Sequence, residues 1–165
     1  MTSTLVILRH AKTERAEDVL DIDRSLTERG HGDAGAAGAW LSAHGYRPDI
    51  VLCSPARRTR QTWHGIAIAL RLTDAPEVRY EPLLYTGNGG DVLELLRGVP
   101  DGFGTVLLIG HNPTLSMVSA SLDPQASRDS DSLRTCGLAV HEGPGAWTEL
   151  GPGAGRLLAT HTARV

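Results

Sequence analysis

Leu5-Val6-Ile7-Leu8-Arg9-His10-Ala11-Lys12-Thr13 is the stretch on which the fold turns. Four consecutive apolar residues are the pattern of a strand buried on both faces, and such strands belong to parallel sheets covered by helices. The run breaks at once into Arg9 and His10, so the first strand delivers polar, titratable groups at its C-terminal end.

Outward from this stretch the pattern repeats. Asp49-Ile50-Val51-Leu52-Cys53 and Thr105-Val106-Leu107-Leu108-Ile109 read as further buried strands, running into Ser54-Pro55 and Gly110-His111-Asn112-Pro113. Leu26-Thr27-Glu28-Arg29-Gly30 opens a helix expected over 27–44 and closed by Gly45. Ser54 as N-cap and Pro55 at the first helical position predict a second helix reaching about residue 72. A short strand is expected over 77–80 and helices over 91–97 and 114–122. A polar, mobile loop is expected over 124–131. Residues 137–141, 147–150 and 157–162, separated by Gly/Pro turns, read as consecutive strands that include an antiparallel edge. Strands alternating with helices predict an α/β fold, a single-domain three-layer sandwich with a mostly parallel central sheet flanked by helices.

The 165 residues suffice for one domain over 1–165 with its own core, needing neither disulfide nor metal as a staple. With 41% hydrophobic and 21% charged residues the chain reads as globular rather than disordered or fibrous. A net charge of -3 without a basic stripe argues against a nucleic-acid partner. Cys53 and Cys136 sit in apolar runs and are expected as buried free thiols. The N-terminus has no signal-peptide pattern, and no stretch has the ~18 apolar residues of a membrane span, so a soluble cytoplasmic protein without a membrane partner is expected.

Three strand ends therefore carry unusual polar residues: Arg9-His10, Ser54 through Arg58, and His111-Asn112. Open α/β sheets bind ligands at the C-terminal edge of their strands, where distant segments converge. Two arginines and two histidines gathered there match a phosphate dianion, because guanidinium forks pair with its oxygens. A histidine beside them is a candidate nucleophile if its other ring nitrogen donates to a carbonyl or side chain and so fixes the tautomer.

Leu8-Arg9-His10-Ala11-Lys12 resembles the arginine-histidine signature of the histidine phosphatase superfamily, also called the phosphoglycerate mutase-like superfamily. Ser54-Pro55-Ala56-Arg57-Arg58-Thr59-Arg60-Gln61-Thr62 resembles its second motif, in which the arginine four residues after the serine binds phosphate; this selects Arg58 rather than Arg57. Gly110-His111-Asn112-Pro113-Thr114-Leu115 resembles its second-histidine motif. Asp23-Arg24-Ser25-Leu26-Thr27-Glu28-Arg29-Gly30, and Leu84-Tyr85 with Leu93, Leu96 and Arg97, are similar to the short SixA-type phosphohistidine phosphatase branch. The resemblance implies a cofactor-independent phosphatase in which His10 is transiently phosphorylated, Arg9 and Arg58 clamp the phosphoryl oxygens and His111 stabilises the transferring group. Thr13 adds a phosphate contact in this scheme. The substrate class implied is a phosphohistidine protein or a small phosphorylated metabolite. The alternatives are a phosphomonoesterase, a mutase-like enzyme, or a phospho-ligand binding module without turnover.

Larger relatives use an acid to protonate an alkoxide leaving group, and Glu81 in Tyr80-Glu81-Pro82-Leu83 is the candidate here. Phosphohistidine has less need of one, because imidazole protonated on its second nitrogen departs neutral. The remaining polar residues read as structural. Arg57 and Arg60 suit a solvated helix face, and Asn112 a cap or backbone brace. His31, His44, His64, His141 and His161 lack the spacing of a metal cage, and the three tryptophans suit packing. Asp18, Asp21 and Asp23 lack the Ca²⁺-loop pattern and read as a solvated acidic loop, with Arg24 available to pair with them. No metal is expected.

Overall fold

The computed structural model describes residues 2–15, 17–127 and 132–165. The apolar runs form the strands expected of them: β1 (Ser3–Arg9), β2 (Ile50–Cys53), β3 (Glu77–Tyr80), β4 (Thr105–Gly110), β5 (Gly137–Gly143) and β6 (Arg156–Thr162). They make one sheet of order β3-β2-β4-β1-β5-β6. β3, β2, β4 and β1 pair in parallel, whereas β5 runs antiparallel to β1 and β6 antiparallel to β5.

Successive side chains of a strand point to opposite faces, which explains why the apolar runs are unbroken. Val6, Leu8, Val51, Leu107 and Ile109 bury one face of the sheet; Leu5, Ile7, Ile50, Leu52, Val106 and Leu108 bury the other. The first face is covered by α1 (Glu28–Ala43) and α2 (Arg57–Leu70) through Ala34, Ala37, Leu41, Trp63 and Ile66. After the short α3 (Leu83–Thr86), α4 (Gly89–Arg97) and α5 (Thr114–Leu122) cover the second face, with Trp147 packed beside them. The result is the three-layer α/β sandwich. Each such fully buried side chain contributes ~1.5–3 kcal/mol of apolar transfer.

α1 starts where Thr27 Oγ1 accepts the Gly30 N–H at 2.9 Å, and the chain turns away at Gly45, whose φ is +75°. The glycines inside α1 are contact points. Gly30 lies against the Lys12 carbonyl with no room for a Cβ, and a Cβ at Gly38 would stand 2.6 Å from the Ile66 carbonyl oxygen. Close approach thus brings α1 onto both α2 and the loop that follows β1.

Several local expectations change. α2 begins at Arg57 with Ala56 as its N-cap, so Ser54 is not the cap and Pro55 is not the first helical residue. The Ser54 hydroxyl is engaged by a histidine across the sheet edge instead. Residues 147–150 form no strand: Trp147–Glu149 is a single 3-10 turn. Trp147 is an anchor there, buried on the second face with its indole N–H donating to the Phe103 carbonyl at 2.7 Å. α4 starts earlier than expected because Asn88 and Asp91 cap each other's backbone N–H groups. Of the polar loop expected over 124–131, residues 128–131 lie outside the described residues. Among the described residues no helix is long and apolar enough to cross a membrane.

Candidate active site

β2, β4 and β1 are neighbours in the sheet and end at the same edge, which brings Ser54, His111 and His10 side by side. The edge is tied by backbone bonds that continue the ladder: His10 N–H to the Gly110 carbonyl, Ser54 N–H to Ile109 and Cys136 N–H to His10. The cavity here, about 380 Å³, is lined by Arg9, His10, Arg58 and His111, with Lys12, Thr13, Arg15, Arg24, Asn112 and Thr135 around them. The convergence expected from three separate strand ends is present.

His10 is 7% exposed. Its Nδ1 lies 2.7 Å from the Ala11 carbonyl oxygen, an acceptor only, so Nδ1 carries the proton and Nε2 keeps its lone pair. Burial, followed by the charges of Arg58 and Arg9, pushes the His10 pKa down to about 4 against the raising effect of the Ala11 hydrogen bond. The ring is therefore neutral and nucleophilic at ordinary pH. The Ala11 peptide is itself fixed, its N–H donating to Thr62 Oγ1 at 3.1 Å.

His111 faces His10 with ring centroids 5.4 Å apart. Burial, then Arg58, lowers its pKa to about 3. Its Nε2 is 2.7 Å from Ser54 Oγ, which also accepts the Ala56 N–H at 3.3 Å. In the tautomer in which Ser54 donates its hydroxyl proton to Nε2, Nδ1–H of His111 is left as a donor.

Arg9 is anchored by an Nη1 bond to the Leu133 carbonyl at 3.1 Å. That carbonyl also accepts from Asn112 Nδ2 at 2.7 Å, while Asn112 Oδ1 accepts from the N–H and hydroxyl of Ser116. Asn112 is thus the brace expected of it, linking the start of α5 to the arginine. Arg58 reaches over from α2 and donates from Nη1 to the Asp21 carbonyl at 2.7 Å and from Nη2 to Asp21 Oδ2 at 3.1 Å. Among the described residues, Arg9 Nε, Arg58 Nε and His111 Nδ1 are buried without a partner. Buried polar groups are nearly always paired, and these three orphaned nitrogens all belong to residues that line the cavity, a donor-rich set suited to an oxyanion.

Thr13 lines the cavity, and its hydroxyl accepts from Arg24 Nη1 at 3.0 Å. Lys12 and Arg15 at the rim add positive charge that draws anions inward. Glu81 is not among the cavity residues; its backbone N–H continues the β2 edge to the Cys53 carbonyl at 2.9 Å. Sequence reasoning missed Asp21, which stands at this site and not in a purely solvated loop. It accepts from Arg58, Tyr85 and Arg24, and the only signal pointing to it was the nearby Arg24. Sequence reasoning also missed the role of the Ser54 hydroxyl on His111.

Among the described residues no three His, Cys, Asp or Glu side chains gather as a metal site would require. Cys53 and Cys136 are buried free thiols whose pKa values burial pushes up to about 12, so neither is nucleophilic. His141 is structural: buried between the Gly155 carbonyl at Nδ1 and the Ser119 hydroxyl at Nε2.

Comparison with known proteins agrees with this geometry. The model of the histidine phosphatase superfamily, branch 1, matches residues 5–92. An uncharacterised Mycobacterium tuberculosis protein, Rv1276c, is 39% identical over 164 residues, spanning 95% of this chain and 100% of that protein. The phosphohistidine phosphatase SixA of Escherichia coli is 31% identical over 121 residues, 72% of this chain and 73% of its own. A solved structure from Nakamurella multipartitia, itself a candidate phosphohistidine phosphatase SixA, superposes with a TM-score of 0.85 at 34% identity, covering 99% of this chain and 97% of that one.

Proposed function

The chain belongs to the histidine phosphatase superfamily, and from that premise we propose that this phosphatase acts on phosphohistidine, with His10 as its nucleophile. The observation that carries the substrate reading is the make-up of the cavity. It is lined by donors and cations, with no carboxylic acid among the described lining residues. Asp21, whose carboxylate accepts from Arg58, is held down to about 2 by the Tyr85 hydroxyl and then by Arg58, so it has no proton to give at neutral pH. A sugar or glycerate oxygen would need a proton as it leaves, whereas an imidazole protonated on its second nitrogen leaves neutral.

Nε2 of His10 attacks phosphorus in line, and the bond to the leaving nitrogen breaks with its electron pair returning to the substrate imidazole. Arg9 and Arg58 hold the equatorial oxygens, and Nδ1–H of His111 donates to the oxygen charge that develops. The Nδ1–H of His10 stays on the Ala11 carbonyl throughout. Phospho-His10 therefore keeps its ring proton and is in turn a neutral leaving group. Water attacks phosphorus, its proton passes to the departing phosphate, and the lone pair returns to Nε2. Electrostatic placement and positioning carry this chemistry, and no resident cofactor enters any step.

The test is a substrate comparison with purified protein. A phosphohistidine-bearing protein or phosphohistidine itself should give a kcat/KM at least roughly 10²-fold above that of glycerol phosphate, the factor a missing general acid withholds. Equal turnover of the alkyl ester would defeat the substrate reading.

A further inference from the structure

We propose that Asp21 is a positioning residue that aims the Arg58 guanidinium at the phosphoryl group. The proposal rests on the phosphatase reading above, in which Asp21 enters only as a group unable to give a proton, and adds a role for it.

The geometry is unusually complete for a surface turn. Asp21 opens the 3-10 turn Asp21–Asp23, and one residue meets both ends of the Arg58 fork: its carbonyl takes Nη1 at 2.7 Å and its Oδ2 takes Nη2 at 3.1 Å. The Arg58 side chain is only 6% exposed, whereas that of Asp21 is 56% exposed, so the group that orients a buried arginine stands outside it. Asp21 is held in turn. Tyr85 donates its hydroxyl to Oδ2 at 2.6 Å, and Arg24 Nε donates to Oδ1 at 3.0 Å. Arg24 then continues through Nη1 to Thr13 Oγ1 and the Glu14 carbonyl, on the loop that follows His10. One carboxylate thereby couples α2, α3 and the nucleophile loop.

An Nη group carries two hydrogens. Asp21 uses one on each Nη of Arg58, leaving the second hydrogens for ligand oxygens. Paired bonds to a single residue fix the plane of the guanidinium as well as its place, which a lone contact would not. The carboxylate holding it is ionised throughout the working range. Without it, Nη2 loses its carboxylate acceptor and Nη1 is left with the main-chain carbonyl, so the fork is held at one end and is free to turn. Tyr85 adds a second restraint, with Arg58 Cζ 5.9 Å from its ring centroid and its ring edge-on to His111.

The test compares Asp21→Asn, Asp21→Glu and Tyr85→Phe in the wild-type and Arg58→Ala backgrounds, with two readouts. Tungstate affinity is read by calorimetry, and kcat/KM is read on an aryl phosphate. Asp21→Asn should weaken tungstate and lower kcat/KM together by roughly 10- to 10²-fold, the cost of misplacing a catalytic contact by about an ångström. Asp21→Glu should recover part of the loss. Tyr85→Phe, which leaves Asp21 itself intact, should shift both readouts in the same direction by a smaller factor, and it serves if Asp21→Asn fails to fold. In Arg58→Ala protein, Asp21→Asn should add no further loss. The proposal is overturned if Asp21→Asn binds tungstate more tightly, as a competitor for Arg58 would when removed, if it changes nothing, or if it costs as much without Arg58 as with it. Wild-type protein that binds tungstate but turns over no phosphate would instead sink the phosphatase reading and leave this one standing.

Discussion

Thr62→Val probes how His10, the proposed nucleophile, is held, because it deletes one hydroxyl while keeping the side chain's shape. Thr62 is fully buried; its Oγ1 accepts the Ala11 N–H at 3.1 Å and donates to the Arg58 carbonyl at 2.8 Å. The Arg58 carbonyl lies inside a helix and has the helix ladder to fall back on. The Ala11 N–H has no such alternative, since Ala11 is also fully buried. Leaving that donor unpaired costs about 1–3 kcal/mol. For a chain of this length each kcal/mol moves the melting temperature by roughly 2–4 °C, so a loss of ~2 kcal/mol predicts a drop of roughly 4–8 °C. The effect on turnover follows from the same peptide. The Ala11 carbonyl takes the Nδ1 proton of His10, and a loop that slackens at Ala11 misaims Nε2. kcat should fall by roughly 10-fold or more with KM changed less. Thr62→Ser keeps the hydroxyl and should retain most of both. A thermal melt and aryl phosphate kinetics on the two variants read the outcome. Thr62→Val melting within about 1 °C of wild type, with kcat intact, would refute the reasoning.

Two further outcomes follow. Glu81 stands outside the cavity lining, so Glu81→Gln should slow phosphohistidine and alkyl phosphate alike and by less than about threefold; a roughly 10²-fold loss confined to alkyl phosphates would make it the proton donor. Acid should destabilise the fold through the two site histidines, whose pKa values fall from 6.5 to about 4 for His10 and about 3 for His111, chiefly by burial. Between those values and 6.5 the unfolded chain binds protons that the folded one refuses, so their contribution is fully present above 6.5 and is lost as the pH falls through the folded values. The melting temperature should be lower near pH 4.5 than at pH 7, and a melt that rises on acidification would contradict the burial of both rings.

The sequence made the sheet and its active edge readable for a definite reason. Leu5 to Leu8, Ile50 to Cys53 and Val106 to Ile109 are continuous apolar runs because both faces of those strands are covered, and each run leads into a polar segment that reaches the cavity, through His10, Arg58 and His111. Topology therefore placed the polar ends of these three strands together, and the choice of Arg58 within Ser54 to Arg58 came from the family resemblance. Asp21 was not legible, because it lies in a stretch without periodicity and its partners Arg58 and Tyr85 are 37 and 64 residues away. An acidic loop does not announce which carboxylate turns inward. Ser54 misled differently: its local pattern is that of a helix cap, yet a tertiary partner, His111, took the hydroxyl and the helix began two residues later than expected, at Arg57. Trp147 to Leu150 had strand-like composition, but a single buried indole pinned to the Phe103 carbonyl decided its conformation.

Rapid quench of the enzyme with phosphorus-labelled substrate asks directly whether the phosphoryl group passes through His10. The geometry at Nε2 predicts an acid-labile, base-stable adduct that forms within a turnover, maps to the peptide carrying His10 and vanishes in His10→Ala. An adduct that persists in His10→Ala, or that maps to another residue, would contradict the assignment.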